Sequence, residues 1–385
     1  MTCMTDELPV APLSELARRR SAKWRKYPAD VIPLFVAEMD FALAPPVRDA
    51  LREAVDASDV GYSQADPELG EAFAGFAAER WGWSVDPVAV TAVTDVGVGV
   101  VETLRVLTQP GDVVAISPPV YPPFFDWTPE AGVRTHEVPL HLDEAGYRLD
   151  LAAIEAAFAQ HPAAYVLSNP HNPVGRVHTA DELRALVTLA QRYRVVIVSD
   201  EIHAPLVLPG AAYTPILSLP GAADVAVAVV SASKAFNLAG LKCAAVVTAS
   251  ARMAAAVASF PPDTRWRTGH LGVIASVAAF RAGGPWLDQL LHTLDARRTQ
   301  LGDLLRDRLP ALSWHPPQAT YLAWLDCRKL GEDDPSRLFL DRARVAVEPG
   351  LRFGAAGVGH VRLNFGTGAH VLDEATARLA TALSG

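Results

Sequence analysis

Cysteine is scarce in this chain, and the cysteines that it has are far apart in sequence. Cys3, Cys243 and Cys327 are the only three among 385 residues. This number and spacing exclude a disulfide-rich scaffold and match no local pattern of a zinc site. Because disulfides are rare in reducing compartments, a chain with so few cysteines is expected to be cytoplasmic.

Long apolar runs and an excess of basic residues are also lacking. No run of about 20 apolar residues occurs, so the sequence predicts no transmembrane helix and no membrane partner. Residues 1–20 carry acids before bases and have no apolar centre, unlike a secretory signal peptide. The formal net charge is −9, which argues against a nucleic-acid partner because that role requires a basic face.

Hydrophobic residues, by contrast, make up 50% of the chain, and charged residues make up 20%. This composition is ordinary for a packed enzyme and disfavours extensive disorder. At about 150 residues per domain, the length predicts two or three domains.

Five short apolar runs predict buried strands in the middle of the chain. Their continuous apolar character is typical of a parallel sheet that is covered on both faces. Between two of them, Thr179–Glu182 has the pattern of a capping box and begins a predicted helix, which completes a βαβ unit. The sequence therefore predicts an α/β domain. The five runs are Val113–Ser117, Ala164–Ser168, Val195–Ser199, Val225–Ser231 and Ala244–Thr248.

The last hundred residues have a different pattern. A long helix is predicted over Pro285–Leu309, and strands are predicted over Tyr321–Asp326 and His360–Asn364. These elements indicate a smaller α+β domain. A further helix, over Val98–Leu107, belongs to the larger domain.

Polar residues that follow the predicted strands are candidates for a site, because ligands of open α/β sheets bind at the carboxyl ends of the strands. Partial desolvation of Lys234 would lower its pKa and favour Schiff-base chemistry, but its ammonium can also reach solvent. Asp200 can pair with a buried cation, or it can cap a helix or turn. The Asn-Pro and Gly residues of 169–175 can form a simple turn.

Asn172, Asp200 and Lys234 occur in this order, 28 and 34 residues apart, each after its own predicted strand. With the stretches NPHNPVG, SDEIH, SKAFNLAGL and PPVYPPF, this order resembles the fold-type-I pyridoxal-phosphate enzymes of the aminotransferase class I/II superfamily. Within that superfamily, the chain is most similar to cystathionine β-lyases (C–S lyases) of the MalY/PatB type. The resemblance covers nearly the whole chain.

The resemblance implies a fold and a domain division. The fold is of the pyridoxal-phosphate-dependent transferase type, α/β, with a large domain around a mostly parallel central sheet and a smaller α+β domain. The large domain, which binds pyridoxal 5′-phosphate, is expected over residues 46–285, and the small domain over 286–385. The N-terminal segment, residues 1–45, is expected to join the small domain.

The resemblance also implies roles around the cofactor ring. Lys234 would form a Schiff base with the cofactor aldehyde and act in catalysis. Asp200 would pair with the pyridine nitrogen, and Asn172 would hydrogen-bond the phenolic oxygen. Tyr121 would stack on the ring face and contribute to catalysis. His203 would either contact the phenolic oxygen or pack beneath the ring.

A phosphate site is implied on two segments. Ser231, Ser233 and Lys242 have the spacing of the superfamily's phosphate donors, with lysine in place of the commoner arginine. The backbone N–H groups of Val96 and Gly97, at the start of a helix, would add donors and the positive end of the helix dipole. The wider family often has Pro-Gly where this chain has Thr94 and Asp95.

Three further expectations concern the partner subunit and the substrate. Tyr62 would reach the phosphate of the neighbouring subunit, which predicts a homodimer with shared active sites. Arg362 would bind the α-carboxylate of a small-molecule amino-acid substrate, for which its planar fork is suited; the alternative is a surface ion pair. Asp40 and its neighbours in 37–41 would line the substrate entrance.

These residues fit three functions. A β-lyase would use Lys234 to remove the Cα proton and would release thiol, pyruvate and ammonia from a sulfur-bearing amino acid. An aminotransferase would use the same residues, and a catalytically silent regulatory protein could keep the scaffold. The family pattern favours the β-lyase, and the intact Lys234, Asp200, Asn172 and Arg362 argue against the silent protein.

Competing motifs fail. Residues 97–102 lack the third glycine of a dinucleotide fingerprint, so nicotinamide binding is not supported. The sequence contains no GxxxxGK[ST], GxSxG or HExxH. His171, His203 and His360 fit no metal-binding pattern, and no metal is expected.

Overall fold

A computed structural model describes residues 7–63 and 67–384, without the side chain of Arg265. Cys3 lies outside the described residues, and Cys243 and Cys327 are buried free thiols. Within the described part of the chain, no helix combines the length and the apolar character that crossing a membrane requires.

The strands and helices of the described residues alternate through most of the chain. The strands are β1 (Ile32–Pro33), β2 (Val90–Val93), β3 (Val113–Ile116), β4 (Arg134–Glu137), β5 (His141–Asp143), β6 (Gly146–Arg148), β7 (Ala164–Ser168), β8 (Val196–Asp200), β9 (Ala226–Val230), β10 (Ala244–Val247), β11 (Ser313–Trp314), β12 (Leu322–Asp326), β13 (Val345–Ala346), β14 (Glu348–Pro349) and β15 (His360–Asn364). The α-helices are α1 (Leu13–Leu16), α2 (Ala22–Arg25), α3 (Pro45–Asp56), α4 (Pro67–Trp81), α5 (Val96–Leu107), α6 (Pro123–Glu130), α7 (Leu151–Phe158), α8 (Ala180–Tyr193), α9 (Ala251–Ala258), α10 (Pro262–Trp266), α11 (His270–Ala282), α12 (Gly284–Arg308), α13 (Pro335–Ala343) and α14 (Ala369–Leu383). Short 3₁₀ helices cover Pro87–Ala89, Ala204–Leu206, Ile216–Ser218, Ala239–Leu241, Arg328–Leu330, Gly350–Phe353 and Ala355–Gly357.

A seven-stranded sheet forms the centre of the molecule, in the order β2-β10-β9-β8-β7-β3-β4. Neighbouring strands from β9 to β4 are parallel. Their side chains enter two separate hydrophobic clusters in alternation: Tyr165 and Leu167 belong to one, and Val166 to the other. Because both faces are buried, the strands are apolar throughout, as the continuous runs predict. The predicted α/β fold class is confirmed.

One predicted strand has the wrong direction. The run Ala244–Thr248, expected in a parallel sheet, forms β10, which is antiparallel to both β9 and β2. A parallel return requires a crossover, usually a helix. The segment between β9 and β10 contains a 3₁₀ helix, Ala239–Leu241, and no crossover α-helix. The chain therefore turns back beyond the end of β9, and β10 runs antiparallel to it. The edge strand β4 has the polar sequence RTHE, and neither β4 nor the other edge strand, β2, is among the predicted strands.

Local capping determines where two helices begin. Thr179 accepts from the N–H of Glu182 while the Glu182 carboxylate accepts from the N–H of Thr179, which confirms the predicted capping box of α8. Asp95 caps α5 by accepting from the N–H of Val98, so this helix begins two residues before the predicted start. The capped start of α5 follows β2, at the same edge of the sheet as the ends of β7, β8 and β9.

The N-terminal segment packs with the C-terminal elements. Strand β1 pairs in parallel with β13, and the N–H of Asn364 on β15 donates to the carbonyl of Leu34. A four-stranded sheet, in the order β11-β12-β15-β14, lies apart from the central sheet. On this basis we propose the division into residues 46–285 and a small domain built from 286–385 with the N-terminal segment, of which residues 1–6 lie outside the described residues.

Candidate active site

A cavity of about 290 Å³ opens where the parallel strands end. Strands β7, β8 and β9 run in the same direction, so the residues that end or follow them meet at one edge. The lining residues are Ala37, Asp95, Val96, Gly97, Tyr121, Pro123, Trp127, Ser168, Asn172, Asp200, Ile202, His203, Ser233, Lys234, Ala239, Lys242 and Cys243.

Lys234 projects into this cavity and is partly buried. Its Nζ donates to the carbonyl of Ala37 at 3.1 Å. Burial, and then the positive charge of Arg362, lower the pKa of Lys234 to about 8. An amine with this pKa is neutral, and therefore nucleophilic, in an appreciable fraction of molecules near neutral pH.

Asp200 is the last residue of β8 and is buried at the same cavity. Its Oδ1 accepts from the N–H of Ile202 at 3.1 Å, so it forms a turn as well as facing the cavity. Burial raises its pKa to about 7. Within the described residues no cation forms an ion pair with it, which leaves the carboxyl able to hold a positively charged ligand atom.

Arg362 on β15 is buried, so the surface ion pair is not what the structure shows. Its Nη1 donates to Oδ1 of Asn172 at 3.2 Å, and its Nη2 donates to the carbonyl of Phe35 at 3.0 Å. The guanidinium lies 5.0 Å from the ring centre of Phe353, and its Nε has no protein partner among the described residues. Asn172 therefore joins Arg362 to the cavity, although Arg362 is not among the lining residues.

Aromatic rings form another part of the lining. His203 is buried, burial lowers its pKa to about 3, and its Nδ1 has no hydrogen-bond partner among the described residues. Tyr121 contacts Trp127 edge to face, with 6.0 Å between ring centres, and burial raises the Tyr121 pKa. Trp127 also lines the cavity and is not among the predicted site residues. A Cβ on Gly97 would lie 2.8 Å from Nε1 of Trp127, so glycine is needed where α5 approaches this ring.

The start of α5 and the loop after β9 face each other across one end of the cavity. Ser233 lines it, whereas Ser231 is buried behind and donates to the carbonyl of Cys243 at 2.7 Å. Lys242 forms an ion pair with Asp95, with 2.9 Å between Nζ and Oδ2. Val96 and Gly97 also line this end.

Like Arg362 and Ser231, the predicted residues Asp40 and Tyr62 do not line the cavity. Asp40 is buried in a polar cluster, where it pairs with Lys23 at 2.7 Å and accepts from Thr367 at 2.6 Å and Trp24 at 3.1 Å. The expected contact of Asp40 with substrate is not supported, because its oxygens are already bonded. Tyr62 is 85% exposed and packs edge to face on Trp266.

The histidines near the site are held by backbone carbonyls. Nε2 of His171 bonds the carbonyl of Pro119, and Nε2 of His178 bonds that of Ser168. Burial lowers the pKa of His171 to about 3 and that of His178 to about 4, so both are neutral. Within residues 7–63 and 67–384, no group of three or more His, Cys, Asp or Glu side chains is placed to hold a metal ion.

Comparison with known proteins agrees with this geometry. The family model for aminotransferase class I and II matches residues 29–379. A Mycobacterium tuberculosis protein described as a candidate cystathionine β-lyase is 48% identical, over 97% of this chain and 98% of its own length. Cystathionine β-lyase PatB of Bacillus subtilis is 33% identical, over 95% and 97%.

A solved structure extends the likeness to the fold. A candidate pyridoxal-phosphate-dependent β-cystathionase from Corynebacterium diphtheriae superposes with a TM-score of 0.93 at 34% identity, over 98% of this chain and 99% of that one. The family match covers most of the chain, and these relatives cover nearly all of it. The chain therefore belongs to the aminotransferase class I and II family.

Proposed function

We propose that this protein is a pyridoxal-phosphate-dependent carbon–sulfur β-lyase, which cleaves the Cβ–S bond of an amino acid to thiol, pyruvate and ammonia. The observation that carries the proposal is the meeting of Lys234, with its lowered pKa, and the buried Asp200 in one cavity. The lyase outcome rests on the relatives at 33% and 48% identity, which are named for that activity.

The residues present fit the cofactor on chemical grounds. Among the described residues, the buried acid Asp200 forms no ion pair and the buried Nδ1 of His203 has no hydrogen-bond partner. A polar ligand group would satisfy the His203 nitrogen, since buried polar atoms normally have a partner, and a cationic ligand atom would pair with Asp200. The first N–H groups of α5 have no intrahelical acceptor and suit a phosphate. When bound, pyridoxal phosphate supplies an aldehyde that takes up the substrate amine and a ring that accepts electron density from Cα.

Asp200 would hold the ring nitrogen in its protonated form. A cation at this carboxyl would favour the carboxylate and lower the pKa that burial raises. His203, neutral and unpartnered at Nδ1, would either bond the ring oxygen or pack beneath the ring. Nδ2 of Asn172 would donate to the ring oxygen while its Oδ1 stays on Arg362. Tyr121 would cover the ring face beside Trp127.

Lys234 would carry the proton in catalysis. Its neutral amine, populated because of the pKa of about 8, accepts the Cα proton at Nζ. The carbonyl of Ala37, 3.1 Å from Nζ, then accepts a hydrogen bond from the resulting ammonium and orients it. Arg362 would bind the substrate carboxylate through donors that its two protein contacts leave free, and so would orient the Cα–H bond toward Nζ.

Incubation with L-cystathionine or an S-alkylcysteine, without added keto acid, tests the reaction. A β-lyase releases pyruvate and thiol in equal amounts, and Lys234→Ala releases neither. Pyruvate or amino transfer that requires a keto-acid acceptor would instead identify an aminotransferase. A colourless protein that neither binds pyridoxal phosphate nor forms product would support the silent regulatory scaffold.

Assembly and location follow from the same proposal. A homodimer would place the exposed Tyr62 at the phosphate of a second subunit, and the small amino-acid substrate would bind at each shared site. A cytoplasmic location is likewise proposed, and the two described cysteines are consistent with it as buried free thiols.

A further inference from the structure

Asp95 and Lys242 form an ion pair at the end of the cavity where a phosphate is proposed to bind. The Nζ of Lys242 lies 2.9 Å from Oδ2 of Asp95, and both side chains line the cavity. The pair is open to water, with 55% of the Lys242 side chain and 41% of the Asp95 side chain exposed. It can therefore exchange partners when a ligand enters.

Asp95 has a second contact on the anion-binding side of α5. Its Oδ1 accepts from the N–H of Val98 at 3.0 Å and caps the helix. One carboxylate thus uses a helix N–H with one oxygen and the lysine charge with the other. These are the two attractions that an incoming phosphate would use.

We propose that Asp95 competes with the cofactor phosphate for Lys242 and for the N-terminus of α5, and so weakens cofactor binding. The inference rests on the proposed function of the cavity. The charges of Asp95 and Lys242 cancel, so a phosphate at this end meets no net positive charge from the pair. Affinity for the cofactor is then set by how far Asp95 offsets the lysine charge at the phosphate end.

The alternative is that Asp95 orients Lys242 toward the phosphate and strengthens binding. The lysine ammonium has three donors but a single positive charge, and a carboxylate in contact with it neutralises much of that charge. A carboxylate already at 2.9 Å therefore reduces what Lys242 offers to a phosphate. When the Asp95 charge is removed, competition predicts a lower dissociation constant for pyridoxal 5′-phosphate, whereas orientation predicts a higher one.

Asp95→Asn provides the test, because asparagine caps a helix about as well as aspartate. Apoprotein is titrated with pyridoxal 5′-phosphate and, separately, with pyridoxal, and absorbance at about 420 nm reports the bond to Lys234. We expect the dissociation constant for pyridoxal 5′-phosphate to fall about tenfold, with little change for pyridoxal, which carries no phosphate. Inorganic phosphate should compete with pyridoxal 5′-phosphate more strongly in the variant.

Asp150→Asn is the matched control. Asp150 caps α7 by accepting from the N–H of Ala153 at 3.0 Å, the same geometry, and it does not line the cavity. It should leave all the dissociation constants unchanged. In a Lys242→Gln background, Asp95→Asn should raise the affinity for pyridoxal 5′-phosphate by less than it does in the natural chain. An equally large rise in affinity would show that Asp95 does not act by competing for Lys242.

The outcomes separate this inference from the proposed function. If Asp95→Asn binds pyridoxal 5′-phosphate equally or more weakly while the band still forms, the competition is overturned and the proposed function stands. An equal rise in affinity for pyridoxal would also overturn the proposed competition, because the effect would then not involve the phosphate. If no variant forms the band with either aldehyde, both proposals fail.

Discussion

The two ends of the cavity use charge in different ways. At the ring end, Lys234 and Asp200 lie in surroundings that displace their pKa values to about 8 and about 7. At the phosphate end, Asp95 and Lys242 form a pair of which about half is exposed to water. Burial makes a charge chemically reactive, whereas exposure makes it exchangeable. We therefore expect chemistry to depend on the first end and cofactor affinity on the second.

The largest effect is expected from Lys234→Ala. Loss of the amine removes both the bond to the cofactor and the base for the Cα proton, so the rate of pyruvate formation should fall about a thousandfold or more. The absorbance at about 420 nm should disappear at the same time. Lys242→Ala is the comparison at the other end: it should retain the band at saturating cofactor. Loss of the band in both variants would contradict the division between the two ends.

Asp200→Asn should lower the turnover rate about a hundredfold, because a neutral amide no longer stabilises a protonated ring nitrogen. Asp326→Asn is a matched control: Asp326 accepts from the N–H of Arg328 at 3.0 Å in the same type of turn, outside the cavity. Its turnover rate should stay within about twofold of the natural chain, as for most surface changes. A small effect of Asp200→Asn at saturating cofactor would refute the ring-end assignment.

The pH dependence follows from the lowered pKa of Lys234. The neutral amine is the reactive form, and its fraction rises as pH increases through about 8. Pyridoxal has no phosphate group to titrate, so its rate of band formation with apoprotein should rise about tenfold between pH 7 and pH 9 and then level off. A rate that continues to rise toward pH 10.5 would show that Lys234 is not desolvated.

A smaller effect is expected from Tyr62→Phe. If the hydroxyl reaches the phosphate of a second subunit, its loss should raise the dissociation constant for pyridoxal 5′-phosphate about fivefold, the contribution of one hydrogen bond. Binding of pyridoxal should not change. Tyr27→Phe, on the N-terminal segment, serves as control. Sedimentation of the natural chain as a monomer would contradict the shared site.

Much of the fold could be predicted because it depends on local pattern. The buried strands appear within about a residue of their predicted bounds, and the capping box of α8 lies where Thr179 and Glu182 place it. Strand β10 was harder, because its direction depends on whether the chain crosses over or turns back, and apolar character does not record this. The direction of β10 is set by the chain after β9, which turns back without a crossover helix.

Some residues of the site could be predicted from the sequence, and others could not. Lys234, Asp200 and Asn172 could be selected because each follows a strand in a recognisable motif. Trp127 carries only a weak signal, an aromatic residue in the helix that follows Tyr121. Asp40 was predicted to line the substrate entrance, yet it forms an ion pair with Lys23. Contacts between distant segments, such as that of Arg362 with the carbonyl of Phe35, 327 residues away in sequence, leave no local pattern.

By itself, the sequence determined the family, the buried strands and the residue types that the chemistry requires, because these follow from motif order and from hydrophobic periodicity. Only the tertiary structure decided how those residues are charged. It buries Asp200 with no ion-pair partner among the described residues, and it pairs Lys242 with Asp95, 147 residues away in sequence. It also turns Asp40 away from the cavity into a cluster with Lys23. The physical reason is that pKa and ion pairing depend on desolvation and on neighbours in space, which only the folded chain brings together.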